Sequence, residues 1–281
     1  MKIAVIGAGT MGHGIAYVAA LAGCEVILSD ARPETLSQAR DRINALLGGA
    51  VTRGKLTSEA AAAVRGRLHA DPGVKEAVVA AEIVIEAVFE DRAVKRRLLA
   101  EVEEAAPDSA LLATNTSSLS VADLAEALRL PARLVGIHFF NPVHAMRLVE
   151  VVTHATVEPR AVERALAFAR ELGKEPIVVK DSPGFASSRL GVVLGLEAMR
   201  MLEQGVASAE DIDKAMELGY NHPMGPLKLT DLVGLDVRLA IADYLHRSLE
   251  DPQFEPPKIL RDKVAKGELG KKTGKGFYRW T

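Results

Sequence analysis

Residues 2–12 read KIAVIGAGTMG, and this stretch decides the fold. It begins with an apolar run of strand length, and the glycines that follow have the GxGxxG spacing. The alanine-rich segment that runs to about Ala22 predicts a helix, and residues 25–29 predict a second strand. A strand, a glycine turn, a helix and a strand in this order are typical of the nucleotide-binding unit of doubly wound α/β folds.

Later segments extend this pattern and then depart from it. Further strands are predicted at residues 81–88, 111–114, 134–137, 148–152 and 176–179. We therefore expect a Rossmann-like, doubly wound α/β fold with a mainly parallel sheet. Residues 181–184, Asp-Ser-Pro-Gly, predict a turn that ends the strand-rich part of the chain, and from Phe185 onward the pattern is helical. This predicts a nucleotide-binding domain at residues 1–183 and an all-α domain at residues 184–281. Apolar residues on more than one face of the later helices predict a homodimer formed through the second domain.

The glycine turn predicts a dinucleotide site. Gly7 permits the tight turn, Gly9 lets the backbone approach a pyrophosphate, and Gly12 allows the helix to pack closely on the strand. The phosphates would lie on the N-terminus of the helix, at Thr10 and Met11. The alternative is a glycine turn that binds no ligand.

Asp30 follows the second predicted strand, eighteen positions after the last glycine of the motif. An acidic residue at about this distance is expected to bind the ribose hydroxyls of the adenosine, and its charge would repel a 2′-phosphate. The sequence therefore favours NAD over NADP as the cofactor, although Arg32 weakens this preference.

Residues 31–70 predict a helical insertion before the strand at residues 81–88. Two helices are expected there, with a break at Gly48-Gly49 and a second start near residues 57–59. The insertion carries seven Arg or Lys against three Asp or Glu, a balance of +4, whereas the whole chain has a net charge of −2. The segment could bind a phosphate-rich ligand, or it could be a solvated, charged helix face.

Composition limits the classes of function. The chain has 281 residues, of which 48% are hydrophobic and 26% charged, and its net charge of −2 argues against binding to nucleic acid or to membrane surfaces. Cys24 is the only cysteine, which excludes an internal disulfide and fits a reducing compartment. No apolar run approaches the ~20 residues of a membrane-spanning helix, and no spacing of Cys and His predicts a metal site. We expect a cytoplasmic protein.

The sequence HFFNP at residues 138–142 follows one predicted strand, and Glu150 lies on the next. Neighbouring strands would let the carboxylate of Glu150 meet the imidazole of His138. Such a pair fixes the tautomer of the ring and suits it to remove a proton from an alcohol. The alternative is a half-buried histidine with an unrelated surface glutamate. Residues 115–118, Asn-Thr-Ser-Ser, form either a ligand-facing rim at a strand end or a helix N-cap.

A set of motifs runs through the chain in order. The motifs are GAGTMG with Asp30, EAVFE at 86–90, TNTSSLS at 114–120, HFFNPVHAMRLVEVV at 138–152, DSPGF at 181–185, NHPMGPLKLTDLVGLD at 221–236 and GKKTGKGFY at 270–278. Together they resemble the 3-hydroxyacyl-CoA dehydrogenases, most of all the short bacterial 3-hydroxybutyryl-CoA type. The resemblance covers essentially the whole chain. It implies a NAD-dependent enzyme of fatty acid metabolism, as in β-oxidation, that interconverts (3S)-3-hydroxyacyl-CoA and 3-oxoacyl-CoA.

The resemblance also implies roles for individual residues. His138 matches the catalytic base of the family and Glu150 the acid that orients it, and Ser117 matches a serine that contacts the substrate oxygen and the nicotinamide region. Lys55 falls in the segment that binds the CoA portion. The residues that match positions around NAD are Glu90, Lys95, Asn141 and Lys272. The second domain resembles the dimerisation domain of the family.

One position departs from the family pattern. Where the family usually has asparagine, in Pro-Gly-Phe-x-x-Asn-Arg, this chain has Ser188. The hydrogen bond expected to polarise the substrate could then be lengthened, replaced by water or lost, and loss of one such donor commonly costs ~10² to 10³ in rate. Two other functions stay open. One is a sugar-acid dehydrogenase on the same scaffold, similar to the gulonate dehydrogenase and lens-crystallin relatives of the family, and the other is a nucleotide-binding protein without catalysis.

Overall fold

The computed structural model describes residues 1–280, and the chain divides into two compact units, the first spanning Met1–Asp181 and the second beginning at Ser182. The first unit is built on one sheet. Its strands are β1 Lys2–Ile6, β2 Glu25–Ser29, β3 Leu68–Asp71, β4 Ile83–Glu86, β5 Leu111–Thr114, β6 Leu134–Phe139, β7 Leu148–Thr153 and β8 Glu175–Lys180. The strands with continuous apolar runs, such as β1, β4 and β5, are buried on both faces, as in a parallel sheet covered by helices.

The sheet has the strand order β3-β2-β1-β4-β5-β6-β7-β8. All neighbouring strands are parallel except β6 and β7, which are antiparallel. The chain order reverses at β1, because β2 lies on one side of it and β4 on the other. Ligands of doubly wound sheets bind outside the carboxyl ends of the strands at such a reversal. The predicted Rossmann-like fold is therefore confirmed.

Seven helices cover the sheet of the first unit. They are α1 Thr10–Leu21, α2 Pro33–Thr52, α3 Ser58–Gly66, α4 Val74–Val78, α5 Arg92–Ala105, α6 Val121–Ala125 and α7 Pro159–Glu171. Three of them begin where a short polar side chain accepts a backbone N–H of the first turn, namely α3 at Thr57, α5 at Asp91 and α6 at Ser120. The position of the helix starts thus follows from local sequence.

Two expectations for residues 31–70 are wrong. The segment is not wholly helical, because β3 pairs with β2 as an edge strand. The side chains of β3 are partly or fully exposed, so β3 lacks the apolar run that marks a buried strand in a sequence. The predicted break at Gly48-Gly49 is also absent, since α2 continues to Thr52. A long helix tolerates an interior glycine at a cost of about 1 kcal/mol.

The second unit is helical. Its helices are α8 Ser187–Glu203, α9 Ala209–Gly219, α10 Pro226–Val233, α11 Leu235–Leu249 and α12 Lys258–Ala265. Gly234 separates α10 from α11 with a φ of 103°, a backbone conformation that favours glycine. The buried carboxylate of Asp231 accepts hydrogen bonds from the backbone of Phe277 at 2.8 Å and of Tyr278 at 2.9 Å, and so fixes the last segment of the chain. Among the described residues, no helix has both the length and the apolar character needed to cross a bilayer.

The continuity of α2 can be tested with a glycine-to-alanine pair. Gly48 is exposed within the helix, and an added Cβ would meet nothing within 4 Å. We expect Gly48→Ala to raise the free energy of unfolding by about 0.5–1 kcal/mol in denaturant titrations, because alanine loses less backbone entropy. As the contrasting variant, Gly12→Ala should be destabilising, since its Cβ would lie 1.7 Å from the carbonyl oxygen of Gly7. A destabilised Gly48→Ala protein would mean that the helix does break there.

Candidate active site

The glycine turn after β1 fits a dinucleotide. An ideal Cβ on Gly7, whose φ is 104°, would lie 2.6 Å from the carbonyl oxygen of Ala87, and one on Gly12 would overlap the backbone of Gly7. Both glycines are therefore required by close packing. Gly9 differs, because an added Cβ would meet nothing within 4 Å. Gly9 is also the N-cap of α1 and has no side-chain cap, so the helix presents backbone N–H groups to open space, as a phosphate requires.

A cleft of about 580 Å³ runs along this turn. Thr10, Met11 and Asp30 line it, together with residues 87–89, which follow β4. The carboxylate of Asp30 is held in place because it accepts the backbone N–H of Ala8 at 2.9 Å and of Arg32 at 3.0 Å. An anchored carboxylate at this point suits the ribose diol of NAD and opposes a 2′-phosphate. The guanidinium of Arg32 lies 3.7 Å from Asp30 and is largely exposed.

A buried ion cluster lies at the carboxyl end of β4. The ammonium of Lys95 is completely buried and donates to Glu86 at 2.7 Å, and it also lies 3.2 Å from the carboxylate of Glu90. Glu86 is buried as well and accepts the hydroxyl of Thr114 at 2.6 Å and the backbone N–H of Val88 at 2.7 Å. Lys95 and Glu86 compensate each other's charge, and both form hydrogen bonds, as buried charges require. The family resemblance placed Glu90 and Lys95 near NAD, whereas Glu86 and Thr114 entered only as the first residues of the motifs EAVFE and TNTSSLS.

Glu90 connects this cluster to the rim after β5. Its carboxylate accepts the backbone N–H of Ser117 at 2.9 Å and the hydroxyl of Thr116 at 2.5 Å. Burial alone would raise the pKa of Glu90, but the charge of Lys95 and these hydrogen bonds hold it below its ordinary value. Glu90 is therefore ionised at neutral pH and fixes the position of Ser117. Asn115 completes the rim, because its amide oxygen accepts the backbone N–H of Phe139 at 2.9 Å.

His138 and Glu150 meet across β6 and β7. They are directly opposite in the antiparallel register, and the Nδ1 of His138 lies 2.8 Å from Oε2 of Glu150. Glu150 is completely buried, and only 7% of His138 is exposed. A carboxylate can only accept, so Nδ1 carries the proton, and Nε2 of the neutral ring is then the basic nitrogen.

His138 lines a cleft of about 310 Å³. The other residues around this cleft include Met11, Glu90, Asn115, Ser117, Phe140 and Asn141. The ring of Phe140 lies 4.4 Å from the imidazole, centroid to centroid. The structure therefore brings together His138, Glu90, Ser117 and Asn141, which the sequence analysis had singled out from separate segments. An alcohol bound here could give its proton to Nε2 while the serine hydroxyl contacts its oxygen.

Lys55 lines another cleft of the first unit, of about 450 Å³. Arg53, His144, Arg147 and Lys174 also line it. The ammonium of Lys174 donates to the carbonyl oxygens of Val143 at 2.5 Å and Met146 at 2.8 Å, and burial lowers its pKa. The cleft is therefore rich in cationic side chains, as a phosphate-bearing ligand requires. The basic residues of the segment 31–70 do not form one patch, since Arg40 and Arg65 line a different pocket.

Two of the predicted site residues lie in the second unit. Ser188 is in the first turn of α8 and is partly exposed. Lys272 forms an ion pair with Asp236, at 2.5 and 2.7 Å to its two oxygens. Burial acts to raise the pKa of Asp236, but hydrogen bonds from Lys272 and from the backbone hold it below its ordinary value. In residues 1–280, no group of three or more His, Cys, Asp or Glu side chains is arranged to hold a metal ion.

Known proteins resemble this chain along its whole length. The family model for the NAD-binding domain of 3-hydroxyacyl-CoA dehydrogenase matches residues 2–182, and the model for the C-terminal domain of the same family matches residues 184–280. The probable 3-hydroxybutyryl-CoA dehydrogenase of Deinococcus radiodurans is 40% identical, with 100% of both chains covered. The 3-hydroxybutyryl-CoA dehydrogenase of Mycobacterium tuberculosis is 41% identical, with 99% of this chain and 98% of the relative covered.

Solved structures agree with the sequence comparison. The crystal structure of (S)-3-hydroxybutyryl-CoA dehydrogenase PaaH1 from Ralstonia eutropha matches with a TM-score of 0.96 at 36% identity, covering 100% of this chain and 99% of that one. The resemblance inferred from the motifs is thereby confirmed. The chain belongs to the 3-hydroxyacyl-CoA dehydrogenase family, whose NAD-binding and C-terminal domains it contains in order.

Proposed function

We propose that this NAD-dependent dehydrogenase interconverts (3S)-3-hydroxybutyryl-CoA and acetoacetyl-CoA, with His138 as the catalytic base. The observation that carries the proposal is the 2.8 Å hydrogen bond between His138 and the buried Glu150, in a cleft that Ser117 also lines. The family and the relatives named above support the choice of substrate. The stereochemistry is that implied by the family resemblance.

In the proposed mechanism, each residue has a distinct task. NAD, when bound at the glycine turn, would supply the nicotinamide ring as the acceptor of a hydride. Nε2 of His138 removes the hydroxyl proton in oxidation and returns it in reduction. The carboxylate of Glu150 holds the proton on Nδ1 and stabilises the imidazolium that forms. The hydroxyl of Ser117 donates to the reacting oxygen, and Glu90 holds that serine through its backbone N–H at 2.9 Å.

Other residues would bind the two ligands. The turn from Gly7 to Gly12 receives the pyrophosphate of NAD, Asp30 the adenosine ribose and Asn141 the nicotinamide end. The buried Lys95 acts on that end only through Glu90, whose carboxylate lies 3.2 Å from its ammonium. Lys55 binds a phosphate of CoA. Ser188 and Lys272 in the second unit are proposed to contact the substrate and NAD respectively, and the second unit is proposed to form a homodimer. Assay of acetoacetyl-CoA reduction by NADH, with free acetoacetate as the control, tests the reaction as a whole.

The role of His138 predicts a selective loss of turnover. His138→Gln should lower kcat by about 10² to 10⁴, the usual contribution of a positioned general base, and should leave the affinity for NADH nearly unchanged in a fluorescence titration. His154→Gln is the matched control, because His154 is also buried and binds the carbonyl oxygen of Leu134, on the same strand. Near-normal turnover by His138→Gln would contradict the assignment of the base.

Asp30 predicts the cofactor preference. Asp30→Ser should shift the ratio of kcat/KM values for NADPH and NADH towards NADPH by at least about tenfold, because removal of a like charge facing the 2′-phosphate relieves a repulsion of several kcal/mol. Arg32→Ser should shift the ratio the other way, since a cation near the phosphate is lost. An unchanged preference in Asp30→Ser would place the ribose elsewhere.

Substitution of Lys55 distinguishes a CoA-dependent function from the alternative function, in which the substrate is a sugar acid. Lys55→Gln should raise KM for acetoacetyl-CoA about two- to fivefold with little change in kcat, because an exposed ion pair is worth about 0.2–1 kcal/mol. The N-acetylcysteamine thioester of acetoacetate, which has no nucleotide, should show no change. Lys2→Gln is the control, because Lys2 lies at the amino end of β1. If Lys55→Gln left the KM for acetoacetyl-CoA unaffected, the CoA assignment of this cleft would fail.

A further inference from the structure

The loop between β6 and β7, residues 140–147, lines two clefts of the first unit. It joins the strand of His138 to the strand of Glu150. Asn141 lines the cleft of about 310 Å³ that also contains His138. Residues 144–147 line the cleft of about 450 Å³ that is rich in cationic side chains. The position of this loop therefore affects both clefts.

The loop is folded into a turn that packs on the dinucleotide helix. The carbonyl oxygen of Pro142 accepts the backbone N–H groups of Ala145 and Met146, both at 3.0 Å. Val143 is buried and lies against α1, where an ideal Cβ on Gly14 would be 2.9 Å from its Cγ2. One side of the turn is thus held by the helix that follows the glycine motif.

Lys174 holds the other side of the turn. It lies between α7 and β8, and only 9% of it is exposed. Its ammonium donates to the carbonyl oxygens of Val143 at 2.5 Å and of Met146 at 2.8 Å. The backbone N–H of Lys174 donates to the carbonyl oxygen of Ala169 in α7 at 3.0 Å, so the lysine is itself fixed. One side chain therefore ties the loop to the junction of α7 and β8.

The environment of Lys174 suits a positioning role better than a stabilising one. Burial lowers its pKa, and within residues 1–280 no carboxylate offsets this effect. A buried cation that is paired only with carbonyl oxygens recovers only part of its hydration free energy. A methionine side chain of similar length would avoid that cost, but it would leave both carbonyl oxygens without this donor. What the lysine contributes is a fixed position of the loop.

We infer that Lys174 is a positioning residue for the cofactor, because it fixes the turn that holds Asn141 at the nicotinamide end of NAD. The inference rests on the proposed function, in which Asn141 contacts that end. The connection is short, since Asn141 is bonded to Pro142 and Pro142 accepts the N–H of Met146. Met146 in turn accepts the ammonium of Lys174. Without the ammonium the turn loses one of its two supports, and Asn141 loses its orientation.

Binding of NADH and of ADP tests this inference apart from catalysis. ADP has the adenosine and the diphosphate of the cofactor but lacks its nicotinamide end. Both ligands are titrated by calorimetry into the full chain without acyl-CoA, because the loop also lines the proposed CoA cleft. Lys174→Met should weaken NADH binding by at least about threefold, as loss of a hydrogen bond does, and should leave ADP binding unchanged.

A double-mutant cycle shows whether Lys174 acts through Asn141. Asn141→Ala should itself weaken the binding of NADH and not that of ADP. In the Asn141→Ala background, Lys174→Met should cause no further loss of NADH affinity, because the group that it positions is already absent. If Lys174→Met does not fold, Lys174→Gln replaces it in the cycle. That variant keeps an N–H donor on a shorter side chain and should show a smaller loss with the same selectivity for NADH.

Glu175→Gln is the matched control. Glu175 is the next residue in the chain, and its carboxylate lies 2.6 Å from the guanidinium of Arg147, on the same loop. Both side chains of this ion pair are largely exposed, so its loss should leave the affinities for NADH and ADP unchanged. The control separates the buried contact of Lys174 from any contact between β8 and the loop.

The outcomes that would overturn the inference differ from those that would overturn the proposed function. Equal weakening of NADH and ADP binding in Lys174→Met would show a general structural role. Unchanged NADH binding in Lys174→Met or in Asn141→Ala, or additive losses in the double variant, would show that the lysine does not act through Asn141. Turnover of acetoacetyl-CoA by the parent protein is measured separately, and its absence would contradict the proposed reaction alone.

Discussion

His138 and Glu150 can meet because β7 runs against the direction of β6. In an antiparallel pair, residues directly opposite each other project from the same side of the sheet. The reversal also brings the beginning of β7 to the edge where β6 ends, which is the edge that binds ligands in doubly wound folds. A residue near the start of one strand can therefore orient a residue near the end of the other. Ser117 and Glu90 line the same cleft as His138.

The two units differ in how two of their buried cationic side chains, Lys95 on α5 and Arg238 on α11, are paired. In the first unit, Lys95 has two carboxylates, and one of them, Glu86, is saturated by further donors. Such a cluster holds fixed positions, which is what a site that orients Ser117 requires. In the second unit, the chain supplies no carboxylate to Arg238 among its described residues. Its Nε has no partner in the described residues, so the second unit stabilises this charge less than the first unit stabilises that of Lys95.

The sequence was sufficient for the features that have strong local signals. The GxGxxG turn with Asp30 predicted the Rossmann-like fold, and the change at residues 181–184 predicted a helical second part, because both depend on short motifs. The edge strand β3 was missed, since an exposed strand of four residues has no apolar periodicity. The break at Gly48-Gly49 was wrong because tertiary packing and helix length outweigh the propensity of two glycines.

Within the candidate site, motifs and spacing predicted His138, Glu150 and Ser117. They did not predict the residues that hold this part of the site in place. Glu86 and Thr114 act through contacts between different strands, which no linear pattern reveals.

The strand order has a consequence for folding. The cofactor cleft is bounded by the turns after β1 and β4, which are neighbours in the sheet although Ile6 and Ile83 are far apart in the chain. Bringing such distant segments together is slow, because the entropy of closing the loop is lost before the contacts form. In the proposed binding mode, NAD can bind only after that step, and it then adds its own binding free energy to the native state. At a free NAD concentration of 100 times Kd, this binding free energy amounts to about 2.7 kcal/mol. The cofactor therefore stabilises the strand arrangement only after the sheet has formed.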